Sequence, residues 1–183
     1  MLTDHIGATV IYEMEARGVF SVLTGRDGFV TSVFRLVGRI AFVLFAFLLA
    51  EGYFHTADKR KYALRLLTGA VISELPYDLM GELKPFYPGS QNVFFTLLTG
   101  FLVMWAADSI LHKEDAGIHP QEAGSRSVKK RPGIVIRRLA ACGVILAGMV
   151  LAELVRSDYG CMGVGLIMVF FFFRKKDISL VIA

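Results

Sequence analysis

The spacing of charges within apolar blocks constrains this chain more than any other feature. The stretch RIAFVLFAFLLAEGYFHT, residues 39–56, places eleven apolar residues between Arg39 and Glu51. In an α-helix those residues advance about 16 Å at 1.5 Å each. The hydrocarbon core of a bilayer is about 30 Å thick. A helix crossing here must therefore bring at least one of the two charges into the apolar region. A charge near a helix centre costs about 2.5–3.5 kcal/mol on insertion scales, so intramembrane ionisable residues face a cavity or one another. An arginine near an end can snorkel to water, whereas glutamate has the shorter reach.

The same pattern of apolar blocks and short charged stretches runs through the chain. Of its 183 residues 55% are hydrophobic, and the mean hydropathy is +0.56. Soluble domains lie nearer 45–50% apolar. Gathered into blocks, this excess predicts an all-α, polytopic integral membrane bundle forming a single domain over residues 1–183. Six apolar segments are expected. The first is a short remnant at 1–12, and the others run Arg35 to Thr56, Tyr62 to Met80, Asn92 to Leu111, Ile134 to Val155 and Tyr159 to Phe173. A polar loop at about 112–133 separates the fourth from the fifth. The first segment is too short to span alone, since a span needs about 20 residues. With the closing DISLVIA, it predicts a chain clipped at both ends.

Basic stretches alternate with neutral ones. ADKRK (57–61), SVKKRPGIVIRR and the tail RKKD are basic, whereas ELKPFYPGSQ and RSDY are nearly neutral. By the positive-inside rule, this predicts six spans with both termini cytoplasmic and an extracytoplasmic loop at 25–34, in the cytoplasmic (inner) membrane. The net charge of +4 is modest. Its clustering in loops serves orientation better than nucleic-acid binding. Two cysteines, Cys142 and Cys161, lie in apolar segments, which argues against a disulfide framework or a zinc site, and no metal is expected. The N-terminus has no basic region preceding an apolar core, so no cleavable signal peptide is expected. Walker, HExxH, GxSxG and dinucleotide motifs are absent from the sequence.

The charged residues inside the segments are the candidates for function. Arg35 and Arg39 lie four apart, as do Glu51 and His55, so each pair shares a helix face. The second segment thus carries a basic pair at one end and an acid–imidazole pair at the other. The third segment holds Arg65, Glu74 and Asp78, with Pro76 expected to kink it. Mutual neutralisation, with Arg39 or Arg65 pairing Glu74 or Glu51, is the structural alternative to a site. Asp4 and His5 form the sharpest pair: histidine exchanges protons near neutral pH, and an adjacent acid can orient it. A solvated terminus is the bland alternative. Gly143, Gly148, Gly160, Gly163 and Gly165 suggest close helix packing. Phe170 to Phe173 read as lipid-facing bulk, Trp105 as an interface residue, and His112 and His119 as solvated.

These blocks taken in order resemble the TraX-type membrane acetylases. They are DHIG, R-x2-GRIAF-x2-FAFLLAEGY-x-HT, KYALRLL, ISELPYDL, NVFFTLL-x-G and DYG-x2-GV. The similarity extends from Asp4 to about Phe173. Val43 stands where the family commonly has proline. The resemblance implies a transmembrane acetyltransferase that uses acetyl-CoA, with the N-terminus of a conjugative pilin as the family's acceptor. It implies His5, beside Asp4, as the catalytic histidine. It implies Arg35, Arg39, Glu51 and His55 lining the site from the second segment, Arg65 and Glu74 from the third, and Asn92 and Thr96 from the fourth. Asp158 and Tyr159 fall at an extracytoplasmic turn. The expected partners are acyl-CoA, an extracytoplasmic protein or glycan acceptor and the lipid bilayer. Arg39 would stabilise an oxyanion, and the basic loops at Lys59 to Lys61 and Lys129 to Arg131 would attract CoA phosphates. A small proton-coupled transporter that uses Asp4, Glu51, His55 and Glu74 as a relay is the rival reading, and an inactive remnant is a third.

Overall fold

A computed structural model describes residues 29–81, 89–112 and 133–181, together with 10, 13–14 and 17–18. Among the described residues the chain forms five long helices: α1 Phe29–His55, α2 Lys59–Gly81, α3 Val93–Leu111, α4 Ile134–Leu154 and α5 Gly160–Val181. Backbone polar groups in a bilayer must be satisfied within the chain, and helices do this segment by segment. The all-α expectation agrees with this architecture. The first expected segment, 1–12, lies outside the described residues apart from residue 10.

The expectation of six spans is corrected. Among the described residues, three helical segments are long and apolar enough to cross a membrane: Leu36–His55, Val93–Leu111 and Ile134–Leu154. Helix α2 has 23 residues but also carries Lys59, Arg60, Lys61, Arg65, Glu74 and Asp78. In α5 the apolar part, Gly160–Arg174, is too short to count, because Arg174 begins a basic run. Of the expected loop at 25–34, residues 29–34 are helical. Helix α1 starts at Phe29, just after Gly28, and no glycine or proline interrupts it before Gly38. Helix α2 continues through Pro76, whose ring nitrogen offers no hydrogen to the carbonyl of Ile72.

Helix α3 is the central element, and the other four helices pack around it. It is apolar on every side, as a helix enclosed by others must be. Leu97, Phe101, Met104 and Ala107 are buried along it. Small residues permit the close approaches. A Cβ on Gly148 of α4 would collide with Val103, and one on Gly100 would collide with Ile167 of α5. One on Gly163 would lie 2.5 Å from Thr96 Cγ2 and 3.1 Å from Phe42 Cζ. Gly143, by contrast, faces open space, so it has no part in the packing expected of it. Phe170 to Phe173 divide rather than forming one lipid face: Phe171 is fully buried, whereas Phe172 and Phe173 are exposed. Trp105 packs partly buried against the core. Outward surfaces of α1, α2 and α4 carry exposed leucine, isoleucine and valine, the pattern expected when lipid is the solvent.

The helix ends are tied by specific hydrogen bonds. Asp58 caps α2: its Oδ1 accepts from the backbone N–H of Lys61 at 3.1 Å, three residues along, as an N-cap does. At the other end of the bundle, Gln91 and Ser157 form an isolated parallel bridge. The Gln91 N–H donates to Arg156 O at 3.0 Å, and the Asp158 N–H donates to Gln91 O at 3.0 Å. This bridge joins the approach to α3 to the α4–α5 turn. In that turn Arg156 has φ 54° and Gly160 has φ 47°, left-handed conformations that reverse the chain within a few residues.

Two predictions follow from this packing. Gly148→Leu should destabilise the bundle by about 1–3 kcal/mol through overpacking, measured as reduced thermal stability in detergent; Gly143→Leu should be silent. The Lys61 backbone N–H, the largest influence on Asp58, holds its carboxyl below the usual range. That contribution is present above the ordinary aspartate pKa and is lost as pH falls through the lowered value. Asp58→Asn, which still caps, should flatten the acid side of a melting-temperature profile; an unchanged slope would refute this role.

Candidate functional site

The expected site residues separate into two groups at opposite ends of the bundle. Along α1, Arg39 and Glu51 are twelve residues apart, which is about 18 Å of helix axis. The Glu51 end also carries the starts of α2 and α4 and the ends of α3 and α5. The stretch 57–61 and Arg174 therefore both fall on this side. The Arg39 end carries the α2–α3 connection and the α4–α5 turn.

At the basic end Glu51 takes its partners from α1 and α5. Arg174 Nε lies 2.6 Å from Glu51 Oε1, and His55 Nε2 lies 3.6 Å from Oε2. Neither Arg39 nor Arg65 supplies this contact, as the neutralisation reading had it. Arg65 is exposed on α2, on the basic half of that helix. Next to this pair is a second cluster. The buried Tyr53 hydroxyl donates to Asp108 Oδ2 at 2.9 Å, and His112 Nε2 lies 3.4 Å from Oδ1. His112, expected in free solution, thus approaches a carboxylate, while His119 lies outside the described residues. Lys59 Nζ donates to Tyr53 O at 2.8 Å and sits 3.7 Å from the centroid of the Tyr53 ring. Burial lowers the pKa of the Lys59 ammonium, and the Asp108 charge opposes that shift. Tyr53, Asp108 and Arg174 were not named as site residues from the sequence, and Lys59 was named only with its basic loop. Asp108 had the same signal as Glu51, a carboxylate in the last turns of an apolar helix.

The opposite end is organised by Asn92. It is the N-cap of α3, with Oδ1 accepting from the Phe94 N–H at 2.9 Å. Its Nδ2 donates to Ala70 O at 2.8 Å and also to Glu74 Oε2, which its backbone N–H meets at 3.3 Å. Glu74 and Asp78 are 9% and 2% exposed, so the i, i+4 spacing does place both on one buried face. Glu74 lies at the α3 N-terminus, where the helix dipole favours negative charge. Tyr77 lies within electrostatic reach of Asp158, Glu74 and Asp78, and is hydrogen-bonded with Ser90. Thr96 is buried, and its Oγ1 accepts from the Tyr159 N–H at 3.4 Å.

Between α1 and α5 at this end lies a recess of about 690 Å³. Arg39 and Asp158 border it, and Phe42, Val43, Met162 and Leu166 make its apolar wall. The Phe42 and Tyr159 rings stack at its base, 3.7 Å between centroids and 7° from parallel. Of the residues expected in one site, the structure therefore brings together Glu74, Asn92 and Thr96, and it sets Arg39 beside Asp158 and Tyr159. Glu51 and His55 are remote from them. The backbone of Arg35 belongs to α1, and its side chain lies outside the described set. His5 and Asp4 also lie outside the described residues.

An all-helical bundle with three candidate spans and polar clusters at both ends is an arrangement that fits a membrane protein. The chain belongs to the TraX family: the family described as TraX protein matches residues 1–182. It is also similar to a protein of Dichelobacter nodosus named probable fimbrial assembly protein FimC, serogroup H1. The two are 36% identical over 78 residues, which cover 38% of this chain and 32% of the relative. The chain thus spans about a third of that relative's length. No solved structure matches.

Asn92→Ala should cost about 2–4 kcal/mol, combining a lost cap with a buried carboxylate stripped of donors. Asn92→Ser should recover the cap share alone. Chemical or thermal unfolding in detergent checks this, and a loss under about 0.5 kcal/mol would contradict the assignment.

Proposed function

We propose that this chain is a multi-pass acetyltransferase of the cytoplasmic membrane that moves an acetyl group from acetyl-CoA to an amine or hydroxyl acceptor. The observation that carries the reading is the family match over residues 1–182. The recess bordered by Arg39 and Asp158, about 690 Å³ in volume, supports it by offering space next to a cation. The relative named as a fimbrial assembly protein favours a pilin-like protein as acceptor. A glycan hydroxyl remains the alternative acceptor class.

In this proposal His5, oriented by Asp4, acts as general base. The acceptor nitrogen or oxygen attacks the thioester carbonyl carbon and gives up its proton to the imidazole. The new C–N or C–O bond forms, the C–S bond breaks, and the coenzyme leaves as its thiol after recovering a proton. The guanidinium of Arg39 stabilises the oxyanion that develops on the carbonyl oxygen, with Arg35 one turn earlier on the same helix. Glu74 and Asn92 hold α2 and α3 in place around the acceptor end. Arg65, Glu51 and His55 belong to the basic half, where the coenzyme phosphates would arrive. An α-amine needs the base less than a hydroxyl does, since its pKa of about 8 leaves a neutral fraction at pH 7.

The test uses labelled acetyl-CoA, membranes that contain the protein and a co-expressed pilin-like acceptor. Acetyl transfer is expected, and His5→Ala should reduce it by about 10²–10⁴-fold, the usual contribution of a general base. Normal transfer by His5→Ala would remove His5 from the mechanism while leaving the reaction standing. Proton or solute flux in vesicles without acyl transfer would instead favour the transporter, in which Asp4, Glu51, His55 and Glu74 act as a relay.

A further inference from the structure

Two recesses lie along the same pair of helices. The larger, about 690 Å³, is bordered by Arg39 and Asp158. The smaller, about 330 Å³, is bordered by Glu51 and Arg174 and walled by Phe47, Phe170 and Phe173. On α1 their lining residues fall at 39, 42, 43, 47, 50 and 51, the i, i+3, i+4, i+7 spacing of one helix face. The residues from α5 fall at 162, 163, 166, 170, 173 and 174, again one face, with Tyr159 just before the helix. The recesses are thus two stretches of one seam between antiparallel helices. Between them Phe47 and Phe170 meet edge-on at 5.7 Å, an apolar contact over whose outer edge a bound chain would run. The groove has a charged residue pair at each end, aromatic and aliphatic walls between them, and a length of about 18 Å from Glu51 to Arg39.

We infer that this α1–α5 groove receives the pantetheine arm of the acyl-CoA donor, with the phosphates at the Arg174 end and the thioester beside Arg39. The inference rests on the acetyltransferase reading and adds the donor's path to it. Length is the first argument. From pyrophosphate to sulfur the arm has about 13 bonds, and an extended chain advances about 1.2 Å per bond, so it reaches about 16 Å. An arm anchored at the level of Glu51 delivers its sulfur to within a turn of Arg39. Charge is the second argument. The groove's phosphate end is the end where Arg174, Lys175 and Lys176 follow one another on α5 and Lys59 to Lys61 begin α2. Chemistry along the path is the third. The geminal methyl groups of the arm lie next to the phosphate, where Phe170 and Phe173 wall the smaller recess. The amide nearest the sulfur falls close to Arg39 and Asp158, the polar groups of the larger one. The arrangement also explains why the expected site residues divide. Glu51 belongs to the donor's entry and Arg39 to the place of reaction, one arm's length apart.

The test compares ligands with and without the arm on purified protein in nanodiscs. Val43→Trp and Met162→Trp narrow the larger recess. Both residues are exposed, at 40% and 81%, so the bundle accommodates the larger ring. Each variant should weaken acetyl-CoA binding by at least about tenfold. Adenosine 3′,5′-bisphosphate, which lacks the arm, should bind each variant as it binds the unaltered protein. An acetyl-CoA analogue with a photoreactive group in the arm should label α1 and α5 between the two recesses. Equal acetyl-CoA affinity in both variants, or labelling confined to α2, α3 and α4, would overturn the groove. A phospholipid chain occupying it would give that first result. Failure of the unaltered protein to bind acetyl-CoA would overturn the donor reading and the groove together, whereas binding that is indifferent to the groove would overturn the groove alone.

Discussion

The carboxamide of Asn92 is the contact on which one end of the bundle depends. Its oxygen caps α3 by accepting from Phe94 N–H. Its nitrogen donates to Ala70 O and Glu74 of α2. A buried carboxylate is costly unless donors and a favourable field meet it. Glu74 receives both from the residue that starts α3. The cap, the α2–α3 junction and the burial of Glu74 are therefore a single arrangement. It sits one residue from Gln91, whose backbone bridges to the α4–α5 turn. The position of Tyr159, and so the base of the larger recess, depends on that bridge and on Thr96 one turn into α3.

The two ends of the bundle differ in kind. The Asn92 end is a closed polar junction next to an open apolar recess. At the basic end the carboxylates Glu51 and Asp108 each have cationic or titratable neighbours drawn from other turns or other helices. A chain that handles a polyanionic donor on one side and a neutral reacting group on the other would benefit from this asymmetry. In the proposed reaction charge would attract and position the phosphates, while the apolar recess would strengthen each dipole directed at the reacting carbonyl.

Much of the fold was legible in the sequence. The expected segments from Arg35 onwards correspond closely to α1 through α5, because apolar block length and the charged breaks between blocks are local properties. The number of spans was not legible, since charges in α2 and the basic run in α5 leave helical length without apolar length. Gly148 and Gly143 illustrate the same limit: both are glycines on α4, yet only Gly148 faces α3. The phenylalanine run also divides by helix face, with Phe171 turned inwards and Phe173 outwards.

The sequence by itself determined that the chain is helical, that its helices alternate with basic and neutral connections, and that Glu51, Glu74 and Arg39 lie where a charge needs a reason. Block length, helix rise and the cost of a charge in hydrocarbon suffice for that, because each acts within a segment. Only the tertiary structure decided which partner each charge has. Glu51 took Arg174, from 123 positions along the chain, and Glu74 took Asn92, from the next helix. The central place of α3 was decided in the same way. Segments of similar hydropathy are interchangeable until side-chain shape chooses their neighbours, and here that choice depends on glycines 100, 148 and 163.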